Sequence, residues 1–268
     1  MSLMLPDPFR IIAHRGASGY APENTMAAFR LALEMGVTEI ETDVHFSRDR
    51  HLVLLHDHTL DRTTDGEGRP GDFDLAALKA LDAGSWADPH EHPDLAWAAD
   101  YTGERLITLD ELLAAFGDQL TYHVELKDPE SAVAEAVAEC VIDAGLGANT
   151  FVTGFERSGD LLRAKAANPT LRTTPLIPPS RNPHEAIVSS AAEGHDGVSI
   201  HIDSVTSELV TAAIDLGLEI RCWGVGNRQS MAAGANVGVN GMTINWPDWL
   251  QEWTQEAGQS PSEPLEGG

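Results

Sequence analysis

Short β-type runs alternate with helix-like segments along most of this chain, and that alternation limits the possible folds more than any other feature of the sequence. The β-type runs cover residues 10–13, 39–46, 121–126, 151–153, 171–176, 197–200, 218–223 and 241–244. The helix-like segments cover residues 24–36, 111–116, 130–144, 161–162, 186–191, 209–216 and 246–253. Parallel strands need crossover connections, and here the crossovers are helices. We therefore expect an α/β fold, a closed (β/α)8 or TIM barrel, whose usual size of about 250 residues suits a chain of 268.

Two segments fall outside the alternation. Residues 59–106 are rich in Gly, Asp and Pro and interrupt the second connection from strand to helix, so we expect a small inserted subdomain on the catalytic face. Within it, His90–His92 resembles a metal-binding run, but its polar surroundings favour an ordinary surface position. Residues 1–257 then form a single domain, and residues 258–268, which lack apolar periodicity, are expected to be disordered.

The balance of charge argues against several kinds of partner. The formal net charge of −25 repels nucleic acid and anionic lipid surfaces, so an anionic substrate must be held by local positive charge. The N-terminal residues contain no apolar signal region, and no stretch approaches the ~20 apolar residues of a membrane span. We therefore expect a soluble, cytoplasmic protein without stable membrane association and without a nucleic-acid partner.

The stretch Glu39–Asp57, EIETDVHFSRDRHLVLLHD, concentrates polar groups within strand-like sequence. Its first half alternates apolar and acidic side chains at period two, so Glu41 and Asp43 leave the same face of a strand. Polar residues separate this strand from the short β-type run 52–55, which favours a hairpin. Two acidic residues on an edge strand more often face solvent. The histidine that follows them favours a functional site instead.

The hairpin would bring that histidine beside the two carboxylates. If Ser47 lies opposite Leu52, the register places Asp43 opposite His56. Directly opposed residues of an antiparallel pair have Cβ atoms about 4.5–5.5 Å apart. We therefore expect an imidazole next to a pair of carboxylates.

Further polar residues end other strands, where the functional side chains of a (β/α)8 barrel gather. His14 and Arg15 follow the first β-type run, and Glu125 and Lys127 end the third. Glu125 and the carboxylates of the second strand offer hard oxygen ligands, which suit one divalent cation, Mg²⁺ or Ca²⁺, better than zinc. Arg15 and Lys127 supply positive charge for a phosphate group. Alternatively, Arg15 neutralises Glu23, and Lys127 forms a simple ion pair with Glu125.

Two histidines remain as candidates for proton transfer. Histidine side chains titrate near neutral pH, so His14 and His56 suit one proton donor and one proton acceptor. A single histidine after a strand is more often a structural hydrogen-bonding residue, and both explanations stay open at this point. Trp223, at the end of the seventh β-type run, is either core packing or an apolar wall for a ligand.

Longer motifs resemble those of one family. The stretches IIAHRGASGYAPENTMAAF, EIETDV, LVLLHD, LDAGSW, LITLDELL, VELK and NGMTINWPD occur in this order over nearly the whole chain. Each is a weak signal alone, but HRG followed by PENT, ExD, HD and ELK is a specific combination. With these motifs the chain resembles the glycerophosphodiester phosphodiesterase family.

The resemblance implies a fold, a reaction and a set of residue roles. The fold is a (β/α)8 barrel with a small inserted subdomain, and the reaction is the hydrolysis of glycerophosphodiesters to sn-glycerol 3-phosphate and an alcohol. By the same resemblance, the nucleophile would be the glycerol 2-hydroxyl, which forms a cyclic phosphate that water then opens. Direct attack by water is the alternative. The implied roles are His14 and His56 as the acid/base pair, Glu41, Asp43 and Glu125 as ligands of the cation, Arg15 and Lys127 as phosphate contacts, and Phe155 and Trp223 as neighbours of the glycerol or the alcohol.

Three stretches depart from the family pattern. The chain has Thr243-Ile244-Asn245 where relatives often have a Thr-Asp pair after the last strand. It has Thr-Gly-Phe ending at Phe155 where Ser-Phe is common, and Gly-Val-Gly after Trp223 where Thr-Val-Asn is usual. We expect all three at the rim of the later strands, where they bear on the alcohol group of the substrate.

Other kinds of protein remain as alternatives. His56-Asp57-His58 in a barrel also suits a metal-dependent amidohydrolase, but that reaction needs histidine ligands on later strands, and only His201 qualifies. A barrel that binds phosphodiesters without turnover would be expected to lack a histidine or a metal carboxylate, and all of them are present. A phospholipase-like protein acting at membranes is disfavoured by the acidic charge and by the lack of an apolar surface helix.

Overall fold

The computed structural model describes residues 9–86, 99–155 and 157–258. The expected surface run His90–His92 lies outside these residues, as does the expected disordered tail beyond residue 258. In the described part of the chain, every helix is too short or too polar to cross a membrane.

Eight parallel strands of the described chain close into a barrel, which confirms the expected (β/α)8 fold. Together with the antiparallel β3, the strands are β1 Arg10–His14, β2 Glu39–Phe46, β3 Leu52–Leu54, β4 Thr121–Leu126, β5 Thr150–Phe155, β6 Arg172–Ile177, β7 Gly197–His201, β8 Glu219–Val225 and β9 Gly241–Ile244. Neighbours follow the order β1-β9-β8-β7-β6-β5-β4-β2, and β1 also pairs with β2 to complete the ring. The additional strand β3 pairs antiparallel with β2 outside the ring.

The helices form the outer layer of the barrel. They are α1 Met26–Glu34, α2 Leu75–Leu78, α3 Leu109–Phe116, α4 Val133–Asp143, α5 Ser158–Ala167, α6 Pro183–Glu193, α7 Ser207–Asp215, α8 Arg228–Val237 and α9 Pro247–Gly258. Helix α8 was not predicted from the sequence, because Gly234 interrupts a segment with few apolar residues. In the fold this glycine allows close packing, since a Cβ atom at Gly234 would lie 2.7 Å from Cδ1 of Ile202.

Local sequence signals explain where two of these helices form. Thr25 caps α1, because its side-chain oxygen accepts a hydrogen bond from the backbone N–H of Ala28 at 3.3 Å. In α4, the residues Val133, Val137 and Val141 repeat at a spacing of four and are fully buried. This spacing gives the helix one apolar face, which packs against the barrel.

The two faces of strand β2 divide the apolar core from the polar interior of the barrel. Ile40 and Val44 lie in the apolar layer between strands and helices. Glu41 and Asp43, on the alternate positions, are buried on the opposite face. The solvent-facing alternative for these carboxylates is therefore wrong.

The hairpin forms with a register that differs by one residue from the expected one. Phe46 lies opposite Leu52, and Ser47 pairs with His51 instead of Leu52. The reason is a tight three-residue loop, in which Arg50 adopts a left-handed conformation with φ of 71°. The main chain of Asp43 accordingly meets Leu55, not His56, through a hydrogen bond of 3.1 Å.

The inserted segment has a small apolar cluster of its own. In its described residues, 59–86 and 99–106, the helical turn α2 packs Leu78 against Leu60 and Leu106. The same cluster includes Val53 and Leu55 of the hairpin strand and the residues after it. The insertion is thereby attached to the outside of β3, next to the residues that follow that strand.

Candidate active site

One cavity of about 340 Å³ opens at the carboxyl ends of the barrel strands. Its lining includes nearly all the site residues predicted from the sequence: His14, Arg15, Glu41, His56, Glu125, Lys127, Phe155 and Trp223. Asp43, the remaining one, is fully buried beside Glu41 and Glu125. Residues that are more than 200 positions apart in sequence therefore meet in a single pocket.

Three carboxylates form an acidic cluster on two neighbouring strands. Glu41 and Asp43 lie on β2, and Glu125 lies opposite Asp43 on β4. One oxygen atom from each lies within 4.8 Å of the others. Burial and repulsion by the other two carboxylates raise the pKa of Glu41 well above its usual value. Oδ1 of Asp43 is buried and has no hydrogen-bond partner among the described residues, as expected for an atom that binds a cation.

A sharp turn after β1 places the next residues over this cluster. Arg15 and Gly16 both have positive φ, 56° and 82°. A Cβ atom at Gly16 would lie 2.6 Å from the carbonyl carbon of Ala28, so only glycine fits there. The turn lets the backbone N–H of Arg15 donate to Oε2 of Glu41 at 3.2 Å. Asn24, later in the same loop, donates to Oδ2 of Asp43 at 3.0 Å.

Two cations lie beside the acidic cluster. Arg15 Nη1 donates to Glu23 at 2.9 Å, and its Nε lies 3.3 Å from Oδ2 of Asp43. Lys127 Nζ lies 2.7 Å from Oε1 of Glu125 and 3.6 Å from Oδ1 of Asp43. Burial opposes ionisation of Asp43, but Lys127 and Arg15 outweigh it and lower its pKa. The ion-pair alternatives for both cations are thus correct, and both cations still line the cavity.

The two histidines use the same ring nitrogen to hold their position. His14 Nδ1–H donates to Oδ1 of Asn245 at 2.6 Å, and His56 Nδ1–H donates to Oδ1 of Asp57 at 2.7 Å. The Nε2 atom of each ring is the one left for other contacts. Nε2 of His14 lies 3.8 Å from Oε2 of Glu41. Burial and the charge of Arg15 lower the pKa of His14 to about 3.

A chain of ion pairs links the two sides of the site through a residue that sequence reasoning missed. Arg62, in the insertion, binds Asp57 with Nε at 2.7 Å and Nη2 at 2.9 Å. It binds Glu23 with Nη1 at 2.9 Å and Nη2 at 2.8 Å. Glu23 also binds Arg15. Asp57, which holds His56, is therefore connected through Arg62 and Glu23 to Arg15. Nothing in the sequence around Arg62 indicates this bridge.

Aromatic rings form one wall of the cavity. Trp223 packs edge-on against Phe155, with ring centroids 4.9 Å apart, and against His201 at 4.6 Å. Trp223 is therefore a cavity wall rather than core packing. Gly224 allows this packing, because a Cβ atom there would lie 2.5 Å from Nε2 of His201. Asn245 also lines the cavity, where its Oδ1 contacts His14, so this departure from the family pattern touches a predicted site residue.

Acidic, basic and imidazole side chains around one pocket at the carboxyl end of a (β/α)8 barrel define a barrel enzyme of the hydrolase type. The chain belongs to the Glycerophosphoryl diester phosphodiesterase family, whose sequence profile matches residues 14–249. The resemblance seen in the motifs is thereby confirmed.

Individual relatives agree with this assignment over most of their length. YhdW of Bacillus subtilis is 35% identical over 247 residues, which is 90% of this chain and 96% of that protein. A second Bacillus subtilis protein, named glycerophosphodiester phosphodiesterase, is 30% identical over 92% of this chain and 87% of its own length. A solved structure of an Oleispira antarctica phosphodiesterase in complex with the product sn-glycerol-3-phosphate has a TM-score of 0.75 and 26% identity, over 96% of this chain and 98% of that one.

Proposed function

We propose that this protein hydrolyses glycerophosphodiesters to sn-glycerol 3-phosphate and an alcohol. Family membership supports the reaction class, and the product-bound relative supports the glycerophosphate moiety. The observation that carries the proposal is the placement of His14 and His56 in one cavity with the acidic cluster and two cations. The substrate is accordingly a small-molecule phosphodiester.

A divalent cation, Mg²⁺ or Ca²⁺, would be held by Glu41, Asp43 and Glu125. The donor set fits such an ion, because it consists of carboxylate oxygens, it is buried, and Oδ1 of Asp43 has no hydrogen-bond partner among the described residues. When bound there, the ion supplies positive charge that stabilises the phosphodiester oxygens. Carboxylates this close together repel one another without it.

Arg15 and Lys127 would hold the phosphate group. Both line the cavity, and both are tied to the acidic cluster, so their positions are fixed before substrate arrives. A guanidinium and an ammonium held in this way stabilise charge on the phosphate without reorganisation. Phe155 and Trp223 form the aromatic wall next to Lys127, where they would pack against the glycerol or the alcohol.

The different partners of the two histidines suggest different roles. His14 donates Nδ1–H to the neutral amide of Asn245, so Nε2 carries the lone pair that can accept a proton. That proton would come from the glycerol 2-hydroxyl, or from water if water attacks directly. His56 donates Nδ1–H to the carboxylate of Asp57, which orients the ring and leaves Nε2 as its other proton-transfer atom. His56 would therefore protonate the leaving alcohol.

The amidohydrolase alternative finds no support in the arrangement of the site. The group of potential metal ligands found among the described residues consists of carboxylates only. His201 packs on Trp223, and its Nδ1 accepts a hydrogen bond from the backbone N–H of Asp203 at 3.2 Å. This residue therefore belongs to the aromatic wall.

The proposal is tested by measuring sn-glycerol 3-phosphate release from glycerophosphocholine, glycerophosphoethanolamine and a bis-glycerol phosphodiester. Each substrate is assayed with Mg²⁺, Ca²⁺ or EDTA. We expect metal-dependent release by the wild type and none by His14→Ala. The matched control is His51→Ala, which removes a half-exposed histidine of the hairpin turn and is expected to retain activity. Failure of the wild type to release the product from any diester would refute the proposed function.

A further inference from the structure

We propose that Arg221 is a specificity-determining residue that binds the glycerol moiety of the substrate from the floor of the cavity. The inference rests on the proposed function and extends it to a residue that the sequence motifs do not include. It begins with a buried guanidinium whose hydrogen-bonding capacity is not fully used. Arg221 is only 3% exposed and lines the same cavity as His14 and Glu41.

The position of Arg221 in the barrel places it beneath Asp43 and Glu125. It lies on β8, two residues before Trp223, so its side chain enters the barrel one inward-facing step below that ring. Its guanidinium reaches His123 on β4, two residues before Glu125. The side chain therefore crosses the barrel from β8 to β4 below Asp43 and Glu125, at the register of Glu41.

The partners of Arg221 fix it in place while leaving one donor unused. Nη1 donates to Nδ1 of His123, and Nε2–H of His123 in turn donates to Oε2 of Glu39 at 2.9 Å. The guanidinium also lies 5.0 Å from the ring centroid of Phe151. Nε of Arg221 has no hydrogen-bond partner among the described residues.

A second unused polar group lines the same cavity, in register with Glu125 on the neighbouring strand. Thr153, on β5, is 3% exposed, and its Oγ1 atom has no partner in the described part of the chain. Ser199 and Thr243 also line the cavity and add further hydroxyl groups. A buried donor without a partner is unfavourable, so a ligand that supplies an acceptor gains affinity. These groups match the oxygens of a neutral polyol, which both accept and donate hydrogen bonds.

The proposed phosphate site lies elsewhere in the cavity, and this separates the two parts of the ligand. Arg15 and Lys127 lie beside Asp43, on the level of the acidic cluster. Arg221 pairs instead with His123, one inward-facing position before Glu125 on β4, and lies over Phe151. Arg221 is thus expected to distinguish a glycerol phosphate from a bare phosphate.

The test compares the binding of sn-glycerol 3-phosphate with that of inorganic phosphate, by titration calorimetry of the full-length protein in the presence of Mg²⁺. Arg221→Met is expected to weaken glycerol 3-phosphate binding about 10- to 100-fold, the usual effect of losing a hydrogen bond to a charged group. Its affinity for inorganic phosphate should stay within about twofold of the wild type. Thr153→Val, which keeps the shape of the side chain, is expected to weaken glycerol 3-phosphate binding about threefold or more.

Arg172→Met is the matched control. Arg172 lies over the same Phe151 ring at 3.8 Å and is not among the described residues that line the cavity. Its replacement should change neither affinity. If circular dichroism shows that Arg221→Met does not fold, Thr153→Val and Arg221→Lys replace it in the test. Arg221→Lys should lose part of the glycerol 3-phosphate affinity, because lysine has no equivalent of Nε.

The outcomes separate this inference from the proposed function. Equal loss of affinity for both ligands, or no loss for either, overturns the role of Arg221 even if the wild type releases sn-glycerol 3-phosphate from diesters. A wild-type protein that binds inorganic phosphate but not sn-glycerol 3-phosphate overturns the inference and the proposed function together. Selective loss of the glycerol 3-phosphate affinity supports it.

Discussion

Replacing Arg62 by glutamine is expected to lower both stability and activity, because Arg62 joins two carboxylates that come from different loops and support different site residues. Its guanidinium makes four hydrogen bonds of 2.7–2.9 Å, two to Asp57 and two to Glu23. Asp57 orients His56, and Glu23 holds Arg15. The side chain of Glu23 is only 5% exposed, so it loses a charge partner that water replaces poorly.

The magnitude follows from how far the pair is buried. Breaking a fully buried ion pair costs about 3–5 kcal/mol. Arg62 is 26% exposed and Glu23 retains Arg15, so we expect about 1.5–3 kcal/mol for Arg62→Gln. For a domain of this size that corresponds to a decrease in Tm of roughly 4–10 °C. Loss of the support for Asp57 should lower kcat about tenfold or more, because the ring of His56 is held less firmly.

Thermal unfolding and sn-glycerol 3-phosphate release measure the two effects. The control is Arg48→Gln, which removes an equally bidentate contact to Asp74 between side chains that are 60% and 47% exposed. That variant should stay within about 0.5 kcal/mol of the wild type. If Arg62 acts on His56 through Asp57, its replacement should have little further effect on kcat in an Asp57→Asn background. Wild-type stability and kcat in Arg62→Gln, or full additivity with Asp57→Asn, would refute the reasoning.

Three further perturbations test other parts of the account. Glu41→Gln should raise the Tm of the metal-free protein in scanning fluorimetry, because it removes one of three mutually repelling carboxylates. It should also abolish the rise in Tm that Mg²⁺ or Ca²⁺ causes in the wild type. A lower metal-free Tm than that of the wild type would contradict this prediction. Burial opposes ionisation of Glu39, yet the hydrogen bond from His123 and the charge of Arg10 lower its pKa from 4.5 to about 2. Ionised Glu39 therefore contributes stability above about pH 4.5 that is lost as the pH falls toward 2, and Glu39→Gln should flatten the pH dependence of urea unfolding in that window; an unchanged slope argues against it. Gly16→Ala should cost about 2 kcal/mol or more in urea unfolding, because it places a Cβ atom 2.6 Å from the backbone of α1 at a φ of 82°, and unchanged stability would contradict the close approach.

The fold could be predicted from the sequence because its signals are local. Each strand is a short β-type run, and each predicted helix shows an apolar face, a cap or a terminating glycine. The one connecting helix that was missed, α8, contains Gly234. This glycine is needed because Ile202 packs too close to it for a larger residue. Glycine in a sequence argues against a helix. The packing partner that explains this glycine is distant in the chain, so the sequence pattern does not reveal it.

The residues of the site could be predicted better than the hydrogen bonds and ion pairs that join them. Strand ends identify the carboxylates and histidines, since the barrel brings strand ends together. The hairpin register was wrong, because the left-handed conformation of Arg50 shortens the loop and nothing near that arginine indicates it. The bridge through Arg62 and the buried pair of Arg221 and His123 join residues from separate segments. Such contacts depend on the assembled barrel, and a single sequence carries no signal for them.

Identifying which bond of the phosphodiester is cleaved tests most directly whether the protein releases sn-glycerol 3-phosphate. Phosphorus NMR of glycerophosphocholine incubated with the protein and Mg²⁺ or Ca²⁺ separates the two possible phosphate products. We predict that the signal of sn-glycerol 3-phosphate appears with the wild type, and that it is absent with His14→Ala and with EDTA. The appearance of phosphocholine instead, or an unchanged diester signal with either metal, would contradict the account.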